Sequence, residues 1–110
     1  MEIQTARDGG KLTVQLKGRL DAVTAIQFDK EILKILDGVT NLTIDLKNLE
    51  YIASAGLRIL LKCQKRMNTQ GEMLIINVNS TVREVLDMTG FSRLLTIEET
   101  PAPKKLSFNF

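Results

Sequence analysis

YIASAGLRILLKCQKRM, residues 51–67, opens with small residues and turns into an amphipathic helix. Leu57, Leu60, Leu61 and Gln64 or Met67 recur three and four positions apart, which draws one apolar stripe along a helix from Ser54 to about Asn68. Arg58, Lys62, Lys65 and Arg66 take the other sides and read as a solvated face. Cys63 closes the edge of the core in this reading, as a small apolar group. Ser54 stands at the seam, between Ala53 and Ala55-Gly56. A serine there caps a helix by accepting a backbone N–H, which is worth about 1 kcal/mol over alanine.

Upstream, NLTIDL at 41–46 alternates Leu42, Ile44 and Leu46 with Thr43 and Asp45, the period of a strand with one buried face. Asp45 then reads as a solvated charge on the opposite face. Residues 47–53 are expected to be the loop into the helix. Further upstream, Gly9-Gly10 separates EIQTAR from KLTVQLK and predicts a hairpin, because both positions accept positive φ. Leu12, Val14 and Leu16 give its second strand a buried face, and Gly18-Arg19-Leu20-Asp21 ends it. Ala25, Phe28, Ile32, Ile35 and Leu36 then lie at helical spacing from about Ala22 to Leu36, with Asp21 placed as the cap and Gly38 as the stop.

Downstream, EMLIINV at 72–78 is nearly all apolar and predicts a strand covered on both faces. Ser80 or Thr81 is placed to cap a third helix, and Thr81 with Glu84 has capping-box spacing. Val82, Val85, Leu86 and Met88 are its expected inner side. RLLTI at 93–97 predicts a last short strand. The order β-β-α-β-α-β-α-β implies an α/β fold: a mixed sheet of four to five strands, parallel where helices cross over, with the first strand antiparallel near the edge and helices mainly on one face. Residues 1–98 form the expected domain. Residues 99–110 form a tail that carries both prolines, and Leu106, Phe108 and Phe110 in it are apolar enough to fold over the domain.

Composition bounds the function. The chain has 110 residues, 44% hydrophobic and 25% charged, which is one ordinary globular domain. The net charge of +2 is spread out, without the basic stripe and aromatics of a nucleic-acid binder. There is no histidine and one cysteine, so neither a zinc cluster nor the commonest general base is available. No phosphate-binding glycine loop is present. The expectation is a protein that is not an enzyme and needs no cofactor or metal. A lone cysteine fits a reducing cytoplasm. No apolar run is long enough for a membrane span and no secretory signal is visible at the N-terminus.

Three segments together are similar to one family. GRLDAVTA at 18–25, LTIDLKNLEYIASAGLRILL at 42–61 and NVNSTVREVLDMTGFSRLLTI at 77–97 resemble the STAS domain, and most closely the small stand-alone anti-sigma factor antagonists of bacteria. The resemblance spans about Met1 to Glu98. It implies a protein-binding switch. The unmodified antagonist binds an anti-sigma factor that is also a serine kinase, is released when that kinase phosphorylates a serine at the start of the central helix, and is restored by a serine phosphatase. The best-known members read Asp-Ser-(Ser or Thr)-Gly-Leu at that turn. Here the turn reads Ala53-Ser54-Ala55-Gly56-Leu57, so Ser54 alone can accept phosphate. The implied partner surface is Asp21, Ala53, Ser54, Ala55, Gly56, Leu57 and Arg58. Asp21 matches an acidic position near the switch serine, with helix capping as its other reading. Asn77 and Asn79 match a loop at the same end of the domain, and turn chemistry explains them equally. Two alternatives stay open beside the switch: an interaction module that is never phosphorylated, and a soluble accessory subunit of a transport system, since the same fold serves transporters.

Overall fold

Gly9, at φ +61°, turns β1 (Glu2–Asp8) onto β2 (Lys11–Leu20), and the two pair antiparallel with Asp8 opposite Lys11. The computed structural model describes residues 1–98, so the expected tail of 99–110 lies outside the described residues. From β2 the chain enters α1 (Ala22–Ile35), returns through β3 (Asn41–Ile52), and crosses α2 (Ser54–Asn68) to β4 (Glu72–Ile76). α3 (Ser80–Thr89) and a single 3-10 turn (Phe91–Arg93) follow. The sheet order is β1-β2-β3-β4, with β2, β3 and β4 mutually parallel. This is the mixed α/β sheet expected from the strand–helix alternation, with the hairpin strand β1 at its edge.

The core forms where two periods meet. Leu12, Val14 and Leu16 of β2 and Leu42, Ile44 and Leu46 of β3 present one buried face. Ala25, Phe28 and Ile32 of α1 and Leu57, Leu60, Cys63 and Met67 of α2 bury their stripes in the same cluster. Each fully buried large apolar side chain contributes roughly 1.5–3 kcal/mol against exposure. Ion pairs tie the outer surfaces together: Lys62 Nζ lies 3.0 Å from Asp29 Oδ1, joining α2 to α1, and Arg66 reaches Asp37.

Several boundaries differ from the sequence reading. Residues 47–52 are strand, not loop. β3 carries extra residues against β2, with register shifts between Gln15 and Lys17 and between Gly18 and Arg19, so its side-chain alternation is broken although its pairing continues. β4 stops at Ile76 and is not covered on both faces: Met73 and Ile75 are buried, while Leu74 and Ile76 are only half-buried. RLLTI does not form a strand. The 3-10 turn takes up Arg93, Leu95 is buried from the turn that follows, and pairing reduces to one bridge between Ile97 and Ile75. Met88, expected inside, is 81% exposed, because Val82 and Leu86 already fill the inner line of α3.

Candidate functional site

The parallel strands bring their C-terminal ends to one edge of the sheet, and each feeds a helix there. Leu20 pairs with Ile52, so the residues that follow, Asp21 and Ala53, are neighbours, and Ala53 N–H donates to the Leu20 carbonyl at 2.9 Å. Asp21 is the N-cap of α1, Ala53 that of α2 and Asn79 that of α3. In open α/β sheets this is the edge where ligands meet the fold.

The three caps are not alike. Asp21 Oδ1 accepts from Val23 N–H and Thr24 N–H, both at 3.0 Å, and Asp21 N–H donates back to Thr24 Oγ1 at 2.8 Å, which completes a capping box. The Thr24 N–H bond, assisted by the Thr24 hydroxyl, Val23 N–H and the Arg19 charge, holds the Asp21 carboxyl below the ordinary carboxylate value against a smaller opposing effect of desolvation. Asn79 Oδ1 accepts from Val82 N–H at 2.9 Å, and its amide donates to the Leu49 carbonyl at 2.7 Å. The cap of α3 is therefore Asn79 rather than Ser80 or Thr81, which lie inside the helix. At α2 no side chain caps at all. Ser54 is not the N-cap: the bond to Leu20 fixes Ala53 in extended backbone (φ −97°, ψ 169°), and Ser54 becomes the first helical residue.

That shift decides what Ser54 can do. Its side chain is exposed, free of a capping hydrogen bond, and beside a helix start with no side-chain acceptor. The intrahelical ladder begins only with Leu57 N–H on the Ala53 carbonyl at 3.1 Å. The positive end of the helix dipole is therefore uncompensated beside an accessible hydroxyl. Gly56 and Leu57 are buried under this turn, and Ala53 and Ala55 are half-buried. Arg58 is exposed, one turn along from Ser54, and has no hydrogen-bond or ion-pair partner among the described residues.

Of the sequence-predicted residues, Asp21, Ala53, Ser54, Ala55, Gly56, Leu57 and Arg58 all belong to this edge. Leu57 serves it from beneath as core, and the Asp21 carboxylate is committed to its own helix. Asn77 lies at the same edge with φ +57° and donates to Asp45 Oδ1 at 3.1 Å. Asp45 is not a solvated charge. It is 9% exposed and also accepts from Lys47 N–H at 2.9 Å and Gln15 Nε2 at 3.5 Å.

The sequence reading missed the apolar and aromatic flank. Val23 is 77% exposed and Ile26 60% exposed on the outer side of α1. The half-exposed Tyr51 stacks under Arg19, whose guanidinium carbon lies 4.3 Å from the ring centroid. The signal was available: Val23 and Ile26 fall off the Ala25-Phe28-Ile32 stripe, which leaves them no place in the core.

Comparison with known proteins places these features in a family. Residues 2–102 match the STAS domain family. The chain is 32% identical over 102 residues to the anti-sigma F factor antagonist of Paenibacillus polymyxa, covering 88% of this chain and 86% of the relative. It is 31% identical over 99 residues to BtrV of Bordetella bronchiseptica, named as an anti-sigma factor antagonist, covering 88% and 85%. In fold it superposes on the Bacillus anti-sigma factor antagonist SpoIIAA in its unphosphorylated form with a TM-score of 0.76, at 19% identity and over 92% of this chain and 91% of that one. The phosphorylated form of SpoIIAA superposes with a TM-score of 0.68. Among the described residues no helix is long and apolar enough to cross a membrane.

Proposed function

The chain belongs to the STAS domain family, and on that footing we propose that it is an anti-sigma factor antagonist that works by partner switching. Unmodified, it binds an anti-sigma factor in the cytoplasm through the loop and first turn at Ala53–Arg58. The anti-sigma factor is also a serine kinase, and the antagonist is its ligand and substrate rather than a catalyst. The kinase moves the γ-phosphoryl group of ATP to Ser54 Oγ; the hydroxyl proton is lost and ADP leaves. A serine phosphatase returns the hydroxyl by hydrolysis.

The single observation that carries this reading is the contrast between helix starts. α1 and α3 are closed by their own side chains, whereas α2 begins on an alanine with an exposed serine at its first position. A phosphoserine carries roughly −1.5 to −2 charges and three acceptor oxygens. At this helix start it meets free N–H groups and the positive dipole end, so the modified domain stays folded. The switch acts instead at the interface. Ala53 and Ala55 permit close approach by a partner, and bringing a phosphate into that contact costs its desolvation, which opposes binding.

The test is to mix the protein with ATP and the kinase-type anti-sigma factor encoded nearest its gene, then map phosphate by mass spectrometry and follow binding by calorimetry. The expected result is one phosphate, on Ser54, with loss of the complex; Ser54→Ala binds and is not released. Stable binding with no phosphate on Ser54 would instead make the protein a constitutive interaction module, the reading that Ala53 and Ala55 favour.

A further inference from the structure

A groove of about 240 Å³ runs between α1 and α2 and reaches Ala55, the residue after Ser54. Its walls are small or apolar: Ala22, Ala25 and Ile26 from α1, Ala55 and Ile59 from α2. Its charged rim is Asp29, Lys30 and Arg58. Asp29 is neutralised by Lys62 at 3.0 Å, while Lys30 and Arg58 have no partner among the described residues. The groove is thus apolar inside and cationic at its lip. It fits an acidic segment that presents one apolar side chain.

Arg58 belongs to two neighbourhoods at once. It lines this groove, and it follows Ser54 by four residues on the same helix. Side chains four apart lie on one face with Cβ atoms about 5–6 Å from each other, and a helical side chain leans toward the N-terminus. The Arg58 side chain can therefore extend toward the Ser54 hydroxyl as well as along the groove it lines. A guanidinium binds a phosphate in bidentate fashion, with adjacent N–H groups on adjacent oxygens.

We propose that Arg58 is shared: in the unmodified protein it pairs with a carboxylate of the anti-sigma factor whose apolar neighbour sits in the α1–α2 groove, and phosphorylation of Ser54 withdraws it. The inference rests on the partner-switching reading and adds the means of release. Once Arg58 turns to the phosphate, the lip of the groove loses one of its two free cations and gains a dianion beside it. The partner's carboxylate then faces repulsion where it had a counter-charge. The shared arginine makes release an exchange of ion pairs that leaves no buried charge unpaired on this protein.

Two measurements test this together. In the first, Arg58→Gln and Ile26→Asp are titrated against the same anti-sigma factor without ATP, with circular dichroism confirming that both variants are folded. Each is expected to weaken binding about tenfold or more. In the second, phosphoserine is installed genetically at position 54 and its 31P titration is compared with and without Arg58→Gln. The expected result is a higher titration midpoint in the glutamine variant, since the arginine favours the dianion. Binding by Arg58→Gln equal to wild type, or an unchanged 31P midpoint, overturns the shared arginine. Concentration-dependent dimerisation of the wild type that Ile26→Asp abolishes would assign the groove to a second copy of the chain and also overturn it. If the unmodified wild type does not bind the anti-sigma factor at all, the underlying partner-switching reading fails, and this inference with it.

Discussion

Gly56 lies directly against Leu20: a Cβ built on Gly56 would come 2.6 Å from Leu20 Cγ, 2.8 Å from its Cδ2 and 3.2 Å from Ile52 Cγ1. Leu20 and Ile52 are the fully buried ends of β2 and β3, so the first turn of α2 is seated on the strands that aim it. The blocking atom on Leu20 is its branch carbon, which cannot swing aside as a terminal methyl can. Gly56→Ala should therefore push α2 off its seat. Overpacking of this kind costs about 1–3 kcal/mol, and alanine's better helix propensity returns at most about 1 kcal/mol. The expected net effect is a lower midpoint in urea unfolding. A midpoint equal to or above wild type would mean that Leu20 repacks freely and that the seat is soft.

Asp21 gives the domain an acid-sensitive joint next to that seat. Its carboxyl titrates below the ordinary value of 3.8, first because Thr24 N–H is bonded to the carboxylate. The ionised form is the one favoured by folding. Its contribution is fully present above the ordinary value and is lost as pH falls through the lowered folded value. Asp21→Asn retains an acceptor oxygen for the cap but does not titrate. Melting temperatures of wild type and Asp21→Asn should differ most near neutral pH, with wild type the higher, and should converge in acid. A gap that stays constant with pH would show that the charge of Asp21 does not contribute.

Cys63 is enclosed in the core, and burial, with Asp29 adding to it, pushes its thiol up to about 12. The thiolate is the reactive form, so the native protein should resist iodoacetamide at mildly alkaline pH and react fully in concentrated guanidinium. Labelling of the native protein as fast as of the unfolded chain would contradict the burial. Cys63 thus carries packing rather than redox chemistry, in line with its expected place as a small apolar group closing the edge of the core.

Much of this was legible because two periods dominate the sequence. Leu12-Val14-Leu16 and Leu42-Ile44-Leu46 announce the pleat, and Leu57-Leu60-Met67 announce the central helix, because each face has one destination. What stayed hidden depends on contacts between distant residues. The strand character of 47–52 is set by backbone pairing with β2 across bulges, which removes the side-chain alternation that would have revealed it. The cap of α2 fell one residue earlier than the serine suggested, because the Leu20 carbonyl holds Ala53 N–H. Serine's local preference for capping lost to a bond made by a neighbouring strand. Asn79 displaced Ser80 and Thr81 for a similar reason, being held by the Leu49 carbonyl. Val23 and Ile26 were visible as residues without a core position, yet only the packing of α1 against α2 shows that Ile26 lines a groove with Ala55.

Asp45 illustrates the same limit and yields the last prediction. Its carboxylate gathers donors from three parts of the chain: Lys47 N–H, the Asn77 amide and, more distantly, Gln15. Asp45→Ala strands these donors in a largely buried place, which costs about 1–3 kcal/mol. Asn77 answers this bond with a left-handed backbone at φ +57°, a conformation that asparagine tolerates better than most residues. Asn77→Gly loses the hydrogen bond but relieves the backbone, whereas Asn77→Ala loses the bond and meets the strain. Chemical denaturation should rank wild type above Asn77→Gly, and Asn77→Gly above Asn77→Ala. Equal stability of the glycine and alanine variants would mean that the turn relaxes to negative φ once the Asp45 bond is gone, and that the carboxylate alone imposes the left-handed conformation on the β4–α3 connection.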